Sequence, residues 1–274
     1  MNAERTFDAD KIDFRKKFEL DGKVIIITGG SGLIGRAFAE AVAQYGAHAV
    51  IADISAARPM ELAGMLETKH GRRMIGCELD VARREDVERL KNETLSEFGR
   101  IDGLINSHQN KTARFFAKFE DYTDEDWDKV IETNLKGTFL TCQIIGGWMA
   151  ENGGGSVINI PSTYSVVAPN QNLYEGTNLG CPAAYSASKG GVMALSQYLS
   201  TYWAEKNVRV NQITPHGVWN NHQGRFEQNF AKLSPLGRMS YNHEVAGAAV
   251  FLLSDASSYI TGHNLMVDGG WTAW

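Results

Sequence analysis

The 274-residue sequence is poor in cysteine, with only Cys77, Cys142 and Cys181 at wide spacings. Three distant cysteines provide neither a disulfide framework nor the close pairs that hold structural zinc. We therefore expect no bound metal and a reducing compartment, the cytoplasm, as the location of the protein.

Long apolar runs and basic clusters are also missing. No uninterrupted apolar stretch reaches the roughly 20 residues that cross a bilayer. The first residues, Met1 to Arg5, are followed by charges rather than the apolar core of a secretory signal. A formal net charge of −5 gives no electrostatic footprint for nucleic acid. We therefore expect a small-molecule ligand and no membrane or nucleic-acid partner.

The sequence does contain a regular alternation of short apolar runs and helical patterns. Buried strands are predicted at residues 23–28, 49–52, 74–77, 101–105, 156–160, 208–213 and 264–267. Helices are predicted at residues 36–45, 60–70, 84–98, 124–149 and 243–253, and a helix carrying Tyr185 extends to residue 205. This alternation predicts an α/β fold, a doubly wound parallel (Rossmann) sheet with helices on both faces. No linker divides the chain, so we predict an N-terminal arm at 1–20 and a single domain at 21–274.

A glycine-rich turn follows the first predicted strand. Gly30, Gly32 and Gly35 form G-x-G-x-x-G before a helix, where backbone N–H groups can bind a pyrophosphate. The second strand ends at Asp53, whose carboxylate can bind the ribose hydroxyls of NAD and repel the 2′-phosphate of NADP. The pattern predicts a dinucleotide-binding domain that prefers NAD. A turn without a ligand and a turn-forming aspartate are the alternatives.

Tyr185 and Lys189 are four residues apart in a predicted helix, so their side chains share one face. A nearby positive charge favours the phenolate and lowers the pKa of tyrosine, which is otherwise about 10. Bringing that pKa to neutrality takes roughly 4 kcal/mol, more than one lysine supplies. The pair therefore predicts a tyrosine acid/base helped by further positive charge, whereas an isolated match would be a chance spacing.

These motifs jointly resemble the short-chain dehydrogenase/reductase family of the compact, single-domain type. The similarity extends from about Asp21 to Gly270 and rests on motifs in family order. They are the glycine turn, Asp80-Val81, Asn106, Asn134-Leu135-Lys136-Gly137, Ser162, Tyr185 with Lys189, Arg209-Val210-Asn211 before Pro215, and Val267-Asp268-Gly269-Gly270. The resemblance implies an NAD(P)-dependent oxidoreductase that interconverts a secondary alcohol and a ketone.

The resemblance implies four catalytic roles. Tyr185 is the acid/base for the substrate hydroxyl, and Lys189 lowers the pKa of Tyr185 and binds the nicotinamide ribose. Ser162 holds the substrate oxygen, and Asn134 keeps a water that links Lys189 to solvent. The positive charge of the oxidised nicotinamide is the further help that Tyr185 needs.

The resemblance also implies contacts with the cofactor along the whole chain. Asp80 would meet the adenine edge with Val81 beside it, and residues 215–218 would flank the nicotinamide. The expected cofactor-binding residues are Gly29, Ser31, Gly32, Leu33, Ile34, Gly35, Asp53, Ile54, Asp80, Val81, Asn106, Ser107, His108, Tyr185, Lys189, Pro215, Gly217 and Val218.

Three departures from the usual family pattern are single replacements or short changes. Leu33 occupies the place of a glycine in the turn, and residues 106–109 read Asn-Ser-His-Gln instead of Asn-Asn-Ala-Gly. His108 is either a cofactor or substrate contact or a solvent-facing imidazole. His216 stands where glycine is common and is a candidate substrate contact.

The fourth departure is a longer segment between Ser162 and Tyr185. Its residues 168–182 are rich in amides and hydroxyls, which suit a polyhydroxylated ligand better than a steroid or fatty chain. We expect this segment to rim the substrate pocket, and a surface insertion is the alternative. The expected substrate contacts are Ser162, Tyr164, Tyr174, Glu175, His216 and Trp219.

Two central helices bear on the choice of substrate. Family members that reduce acyl chains on a carrier protein have arginines near the carrier-docking ends of these helices. The matching residues 148–153 and 199–205 contain none, so an acidic carrier finds little to bind. The ending Gly269–Trp274 resembles that of bacterial sugar and polyol dehydrogenases and of surface-glycan pathway oxidoreductases. We predict a sugar, polyol or sugar derivative as substrate, with a 3-oxoacyl thioester reductase as the alternative.

Two further implications concern partners. A non-enzymatic nucleotide-binding regulator is the least favoured reading, because such proteins typically lose the tyrosine or the lysine. In the family the long helices near Asn134 and Tyr185, and the C-terminal tail, form subunit contacts. The resemblance therefore implies a homotetramer, with a dimer as the alternative.

Overall fold

Seven parallel strands form the central sheet of the computed structural model, which describes residues 12–274. The strands are β1 (Val24–Thr28), β2 (His48–Asp53), β3 (Met74–Glu78), β4 (Gly103–Asn106), β5 (Gly155–Asn159), β6 (Val208–Pro215) and β7 (Asn264–Val267). Their order across the sheet is β3-β2-β1-β4-β5-β6-β7, with every neighbouring pair parallel. The predicted doubly wound α/β fold is confirmed.

Helices cover both faces of this sheet. They are α1 (Gly35–Gln44), α2 (Ala57–His70), α3 (Arg84–Phe98), α4 (Asp124–Ile131), α5 (Gly137–Thr141), α6 (Gly147–Glu151), α7 (Ala183–Tyr202), α8 (Arg225–Leu233) and α9 (Asn242–Leu253). Two π-helical turns, Glu132–Lys136 and Cys142–Gly146, join α4, α5 and α6 into the long helix predicted from the sequence. Single π turns inside α-helices often lie at functional sites, and the first of these contains Asn134.

Alternating strand residues fill two apolar layers, one on each face of the sheet. Ile25 of β1 packs in the layer that contains Phe38 of α1 and Val250 of α9. Ile26 points the other way and packs in the layer that contains Leu90 of α3. Because all five side chains of β1 are buried, its sequence is apolar without interruption until Thr28, as expected for a central parallel strand.

Several boundaries differ from the prediction by a few residues, and three differences have a clear structural explanation. Helix α8 was not foreseen, because it is short and its one buried residue, Phe230, packs on distant parts of the chain. Helix α7 ends at Tyr202 rather than residue 205, since a 3₁₀ turn and the left-handed Asn207 follow it. Strand β4 pairs from Gly103 to Asn106, later than predicted.

The described part of the predicted arm, residues 12–20, contains a 3₁₀ turn at Lys16–Phe18. Leu20 is fully buried in the layer under α1, so the end of the arm is part of the core. Phe7 and the other residues before position 12 lie outside the described part of the chain. Within residues 12–274, no helix combines the length and apolar character that crossing a bilayer requires.

The strand order reverses at β1, which has β2 on one side and β4 on the other. In open α/β sheets, the crevice outside the carboxyl ends of strands at such a switch point is where ligands bind. The topology therefore predicts a ligand site beside the residues that follow β1 and β4.

The central position of β4 gives a prediction about stability. Leu104 of β4 is fully buried between Ile26 and Val157 on the neighbouring strands. We expect Leu104→Ala to lower the free energy of unfolding by about 2–5 kcal/mol, because the lost contacts leave a cavity. Urea denaturation measures this. The control, Met65→Ala on the exposed face of α2, should change it by less than about 0.5 kcal/mol. Equal effects would contradict the assignment of β4 to the core.

Candidate active site

A cavity of about 870 Å³ lies at the carboxyl ends of the strands. Residues that end or directly follow the strands line it: Gly29, Asp53, Leu79, Ser107, Ile160 and Pro215. The glycine turn and the predicted catalytic tyrosine therefore border one cavity, at the place where the topology puts a ligand.

The turn after β1 leaves no room for a Cβ at three positions, Gly29, Gly30 and Gly35. Gly29 has φ +63°, and a Cβ on it would lie 2.7 Å from the backbone of His108. A Cβ on Gly35 would lie 2.1 Å from the carbonyl oxygen of Gly29. Leu33 lines the cavity, and its carbonyl accepts a hydrogen bond from Asn242 of α9 at 2.9 Å. The tight turn before α1 leaves the open backbone surface that a pyrophosphate requires, so the residues present fit a dinucleotide.

Asp53 is fixed at the cavity by the turn itself. One carboxylate oxygen accepts hydrogen bonds from the backbone N (3.1 Å) and the hydroxyl (2.5 Å) of Ser31, and the other accepts from the N of Ile54 at 2.9 Å. Arg58 of α2 lies 3.9 Å from the same carboxylate and also lines the cavity. Nothing in the sequence pattern singled out Arg58, which brings a positive charge beside the acid.

His108 is buried, and the expectation of a solvent-facing imidazole is wrong. Its Nδ1 lies 2.7 Å from the hydroxyl of Thr28, and its Nε2 lies 3.3 Å from that of Thr138. Burial, and secondarily the charge of Lys189, lower the pKa of His108 to about 3. The neutral ring supports the glycine turn from behind and also lines the cavity.

Asn106 lies inside the sheet and not among the residues that line the cavity. Its amide donates a hydrogen bond to Asn159 at 2.8 Å, and Asn159 donates to Ser196 of α7 at 2.8 Å. The two asparagines thus connect β4, β5 and α7. This arrangement places Asn106 as a support for the site, away from the surface that a cofactor would touch.

Tyr185 and Lys189 lie on the same face of α7 and line the cavity together with Ser162. The Lys189 ammonium donates a hydrogen bond to the carbonyl of Ile160 at 2.7 Å and lies 5.7 Å from the centre of the Tyr185 ring. Ser162 begins the short 3₁₀ turn after β5, where its hydroxyl accepts from the N of Tyr164. Two elements, α7 and the end of β5, therefore bring the three groups together.

Burial opposes the ionised forms of both α7 residues. It lowers the pKa of Lys189 to about 8. It raises the pKa of Tyr185 above its usual range, and the Ser162 hydroxyl opposes that rise. A phenolate at Tyr185 therefore needs positive charge beyond that of Lys189.

Asn134 occupies the first π turn and is fully buried. Its side-chain oxygen accepts a hydrogen bond from the N of Asn110 at 2.8 Å, and its amide donates to Ser188 at 3.1 Å. Ser188 precedes Lys189 on α7, so Asn134 connects the long helix with the helix of the catalytic pair. Its expected role in a water relay stays a prediction.

Residues 168–182 form part of the cavity wall. Their 3₁₀ turn at Gln171–Tyr174 buries Leu173 and Tyr174 against α8 and the C-terminal segment. The amide of Asn229 in α8 fixes this turn by donating to the carbonyls of Leu173 (3.2 Å) and Glu175 (2.9 Å). We call this cluster the aromatic wall: Leu173, Tyr174, Phe226 and Phe230 line the cavity, and Trp271 packs on Phe230.

Helix α8 and Trp271 were not predicted as parts of the site. The spacing of Phe226 and Phe230, four residues apart in a polar stretch, was the available signal for a short amphipathic helix. The sequence pattern does not predict that Trp271 joins the cluster of Leu173 and Tyr174, because these segments are almost 100 residues apart.

The expected substrate contacts fall into two groups. Tyr164, Tyr174 and His216 line the cavity with Ser162. The hydroxyls of Tyr164 and Tyr174 are 2.7 Å apart, and burial raises the pKa of Tyr174 to about 12. Glu175 and Trp219 are not among the lining residues, although Pro215, Gly217 and Val218 are. Trp219 packs instead on Tyr241, with ring centres 6.3 Å apart.

Known proteins are similar in sequence to this chain over nearly their whole length. A family model described as enoyl-(acyl carrier protein) reductase matches residues 31–272. The chain is 36% identical to an NAD-dependent glycerol dehydrogenase of Listeria innocua, covering 94% of this chain and 97% of the relative. It is 39% identical to a D-threitol dehydrogenase of Mycolicibacterium smegmatis, covering 95% and 96%.

A solved structure is also similar to this chain in fold and sequence. The crystal structure of a gluconate 5-dehydrogenase from Burkholderia cenocepacia, in complex with NADP and tartrate, is 29% identical, with a TM-score of 0.86 and coverage of 94% of this chain and 98% of that one. Together with the seven-stranded parallel sheet and the motif order, these matches establish that the chain belongs to the short-chain dehydrogenase/reductase family.

Proposed function

We propose that the protein oxidises a secondary hydroxyl of a polyol or sugar to a ketone, reversibly, with NAD as the preferred cofactor. The observation that carries this proposal is that Ser162, Tyr185 and Lys189 border the same cavity as the glycine turn and Asp53. The names of the two curated relatives, glycerol dehydrogenase and D-threitol dehydrogenase, support a polyol as the substrate class.

The residues of the site divide the chemistry between them. A bound nicotinamide cofactor supplies the hydride acceptor and, when oxidised, a positive charge. Tyr185 takes the proton of the substrate hydroxyl during oxidation and returns it during reduction. Ser162 donates a hydrogen bond to the reacting oxygen and, with Tyr185, polarises the carbonyl in the reverse direction. Lys189 favours the phenolate through its charge, and the family resemblance assigns Asn134 the water that links Lys189 with solvent.

The lining of the cavity favours a hydroxylated substrate over an acyl chain. Tyr164, Tyr174 and His216 present polar groups to the cavity. A ligand that leaves buried polar groups unpaired binds with a free-energy cost. The aromatic wall, which includes Leu173 and Tyr174, also bounds one side of the cavity. A long apolar chain would therefore meet polar atoms it cannot satisfy.

Replacing the proposed acid/base tests the reaction. We expect Tyr185→Phe to lower kcat about 10²–10⁴-fold, since the hydroxyl proton loses its acceptor, and to leave cofactor affinity nearly unchanged. The assay is NADH formation across polyols, sugars and sugar phosphates, with fluorescence titration of NADH for binding.

The matched control is Tyr259→Phe, a fully exposed tyrosine outside the cavity, which should retain wild-type turnover. Wild-type-like turnover by Tyr185→Phe would refute the assignment. Turnover of an acetoacetyl thioester without turnover of any polyol or sugar would support the 3-oxoacyl reductase alternative instead.

The fixed carboxylate of Asp53 makes cofactor preference testable. The wild type should have a higher kcat/KM with NAD than with NADP, because the carboxylate repels the 2′-phosphate. Asp53→Asn should raise the NADP-to-NAD ratio of kcat/KM about tenfold, which corresponds to about 1.4 kcal/mol. Arg58→Met is the companion variant. A wild-type preference for NADP that disappears in Arg58→Met would show that the arginine, and not the acid, selects the cofactor.

We further propose that the protein assembles as a homotetramer through its long helices. Trp127 of α4, Phe139 of α5 and the stacked pair Tyr198 and Tyr202 of α7 are exposed aromatic side chains. Burying such surface between copies is favourable. Light scattering should give about four times the chain mass of 30.2 kDa. A mass of two chains would support the dimer, and a single chain at working concentration would reject self-association.

A further inference from the structure

His216 lines the cavity with one ring nitrogen engaged and the other without a partner. Its Nδ1 lies 2.6 Å from the hydroxyl of Thr163. Among residues 12–274, no group forms a hydrogen bond with its Nε2. The residue is only 8% exposed and Nε2 itself is closed off from water, so leaving this nitrogen unpaired is costly unless a small shift of its neighbours lets a ligand pair with it.

Aromatic rings hold the imidazole of His216 in place. The ring centres of Trp271, Phe230 and Tyr164 lie 4.2, 5.0 and 5.9 Å from that of His216. Trp271 is itself positioned by the turn after β7, where the Asp268 carboxylate accepts hydrogen bonds from Gly270 and Thr272. The aromatic wall therefore restricts the ring to the orientation that meets Thr163.

The hydrogen bond to Thr163 assigns the proton of the imidazole. The Thr163 hydroxyl is fully buried and forms no other hydrogen bond within residues 12–274. Its proton is satisfied only when it donates to Nδ1, and that leaves the ring proton on Nε2. Burial lowers the pKa of His216 to about 4, so the ring is neutral at physiological pH. Nε2–H is thus a fixed, uncharged donor.

The chain connects this donor directly to the reacting centre. Thr163 follows Ser162, so the same turn after β5 places the hydroxyl that holds the reacting oxygen and the hydroxyl that orients His216. Tyr164 comes next, and its ring packs edge-on against both His216 and Tyr185, with ring centres 5.9 and 6.4 Å away. Ser162 and His216 therefore border the same cavity from neighbouring segments, so a ligand held by Ser162 shares that cavity with His216.

We propose that His216 Nε2–H donates a hydrogen bond to a second hydroxyl of the substrate, one that does not react. The site then selects diols and longer polyols over monoalcohols of the same carbon number. A binding site built to pair with a hydroxyl discriminates against the analogue that lacks it, because the buried donor is left unpaired. This inference rests on the proposed alcohol oxidation and adds the group that recognises the substrate.

The test compares three four-carbon substrates that differ in hydroxyl number: 2-butanol, 2,3-butanediol and butane-1,2,3,4-tetrol. The wild type should oxidise the diol and the tetrol with kcat/KM at least tenfold above that for 2-butanol. His216→Leu should lower kcat/KM for the diol and the tetrol at least tenfold more than it lowers that for 2-butanol. The preference for additional hydroxyls should therefore largely disappear.

Two further variants separate recognition from a merely structural role. His216→Gln keeps an N–H donor at similar reach and should retain more of the polyol preference than His216→Leu. Thr163→Val removes the group that fixes the imidazole tautomer, and it should reduce the preference to an intermediate value. Thermal melting shows whether each variant is folded.

The outcomes distinguish this inference from the function on which it rests. Oxidation of 2-butanol by the wild type at the same kcat/KM as the polyols would overturn the role of His216 and leave alcohol oxidation standing. An equal loss for all three substrates in folded His216→Leu would likewise overturn it. No oxidation of any alcohol by the wild type would reject both.

Discussion

The site depends on holding one buried ammonium in place. Lys189 is 4% exposed, and the carbonyl of Ile160 at 2.7 Å is the hydrogen-bond acceptor that the folded chain gives it. Burying a charge with so few partners is unfavourable, so α7 must be secured to the sheet by other means. The hydrogen bonds that join Asn106, Asn159 and Ser196, and that between Asn134 and Ser188, do this. Buried asparagines in the strands thus serve the lysine without touching a ligand.

The aromatic wall gives one physical explanation for features that are separate in the sequence. The longer segment before Tyr185, the histidine after Pro215 and the tryptophan near the end of the chain all meet there. Helix α8 closes the assembly through Asn229 and Phe230. Each feature alone is a minor departure from the family pattern. Their contact shows that they form one structural unit on the substrate side of the cavity.

Much of the fold and of the site could be predicted because the relevant signals are local. Apolar strands alternating with helices give the parallel sheet, and glycines such as Gly29 and Gly35 mark a turn that excludes a Cβ. The burial of His108 could not be predicted, since its partners Thr28 and Thr138 are 80 and 30 residues away.

Composition was a poor guide inside residues 168–182. The segment is polar overall, yet Leu173 and Tyr174 fix it to the protein and decide which side chains face the cavity. Glu175 was expected at the cavity because of its polar side chain, but it is not among the residues that line it.

The π turns in the long helix change which neighbour each of its segments addresses. A π turn adds a residue to a helical turn, and each α-helical residue advances about 100° around the axis, so side chains after the turn emerge on a rotated face. Val130, before the first π turn, packs with Phe115 near Tyr185, whereas Ile145 and Met149, after it, pack against the sheet. Asn134 lies within the first π turn, where the face of the helix rotates, and its side chain reaches Ser188 of α7 from there.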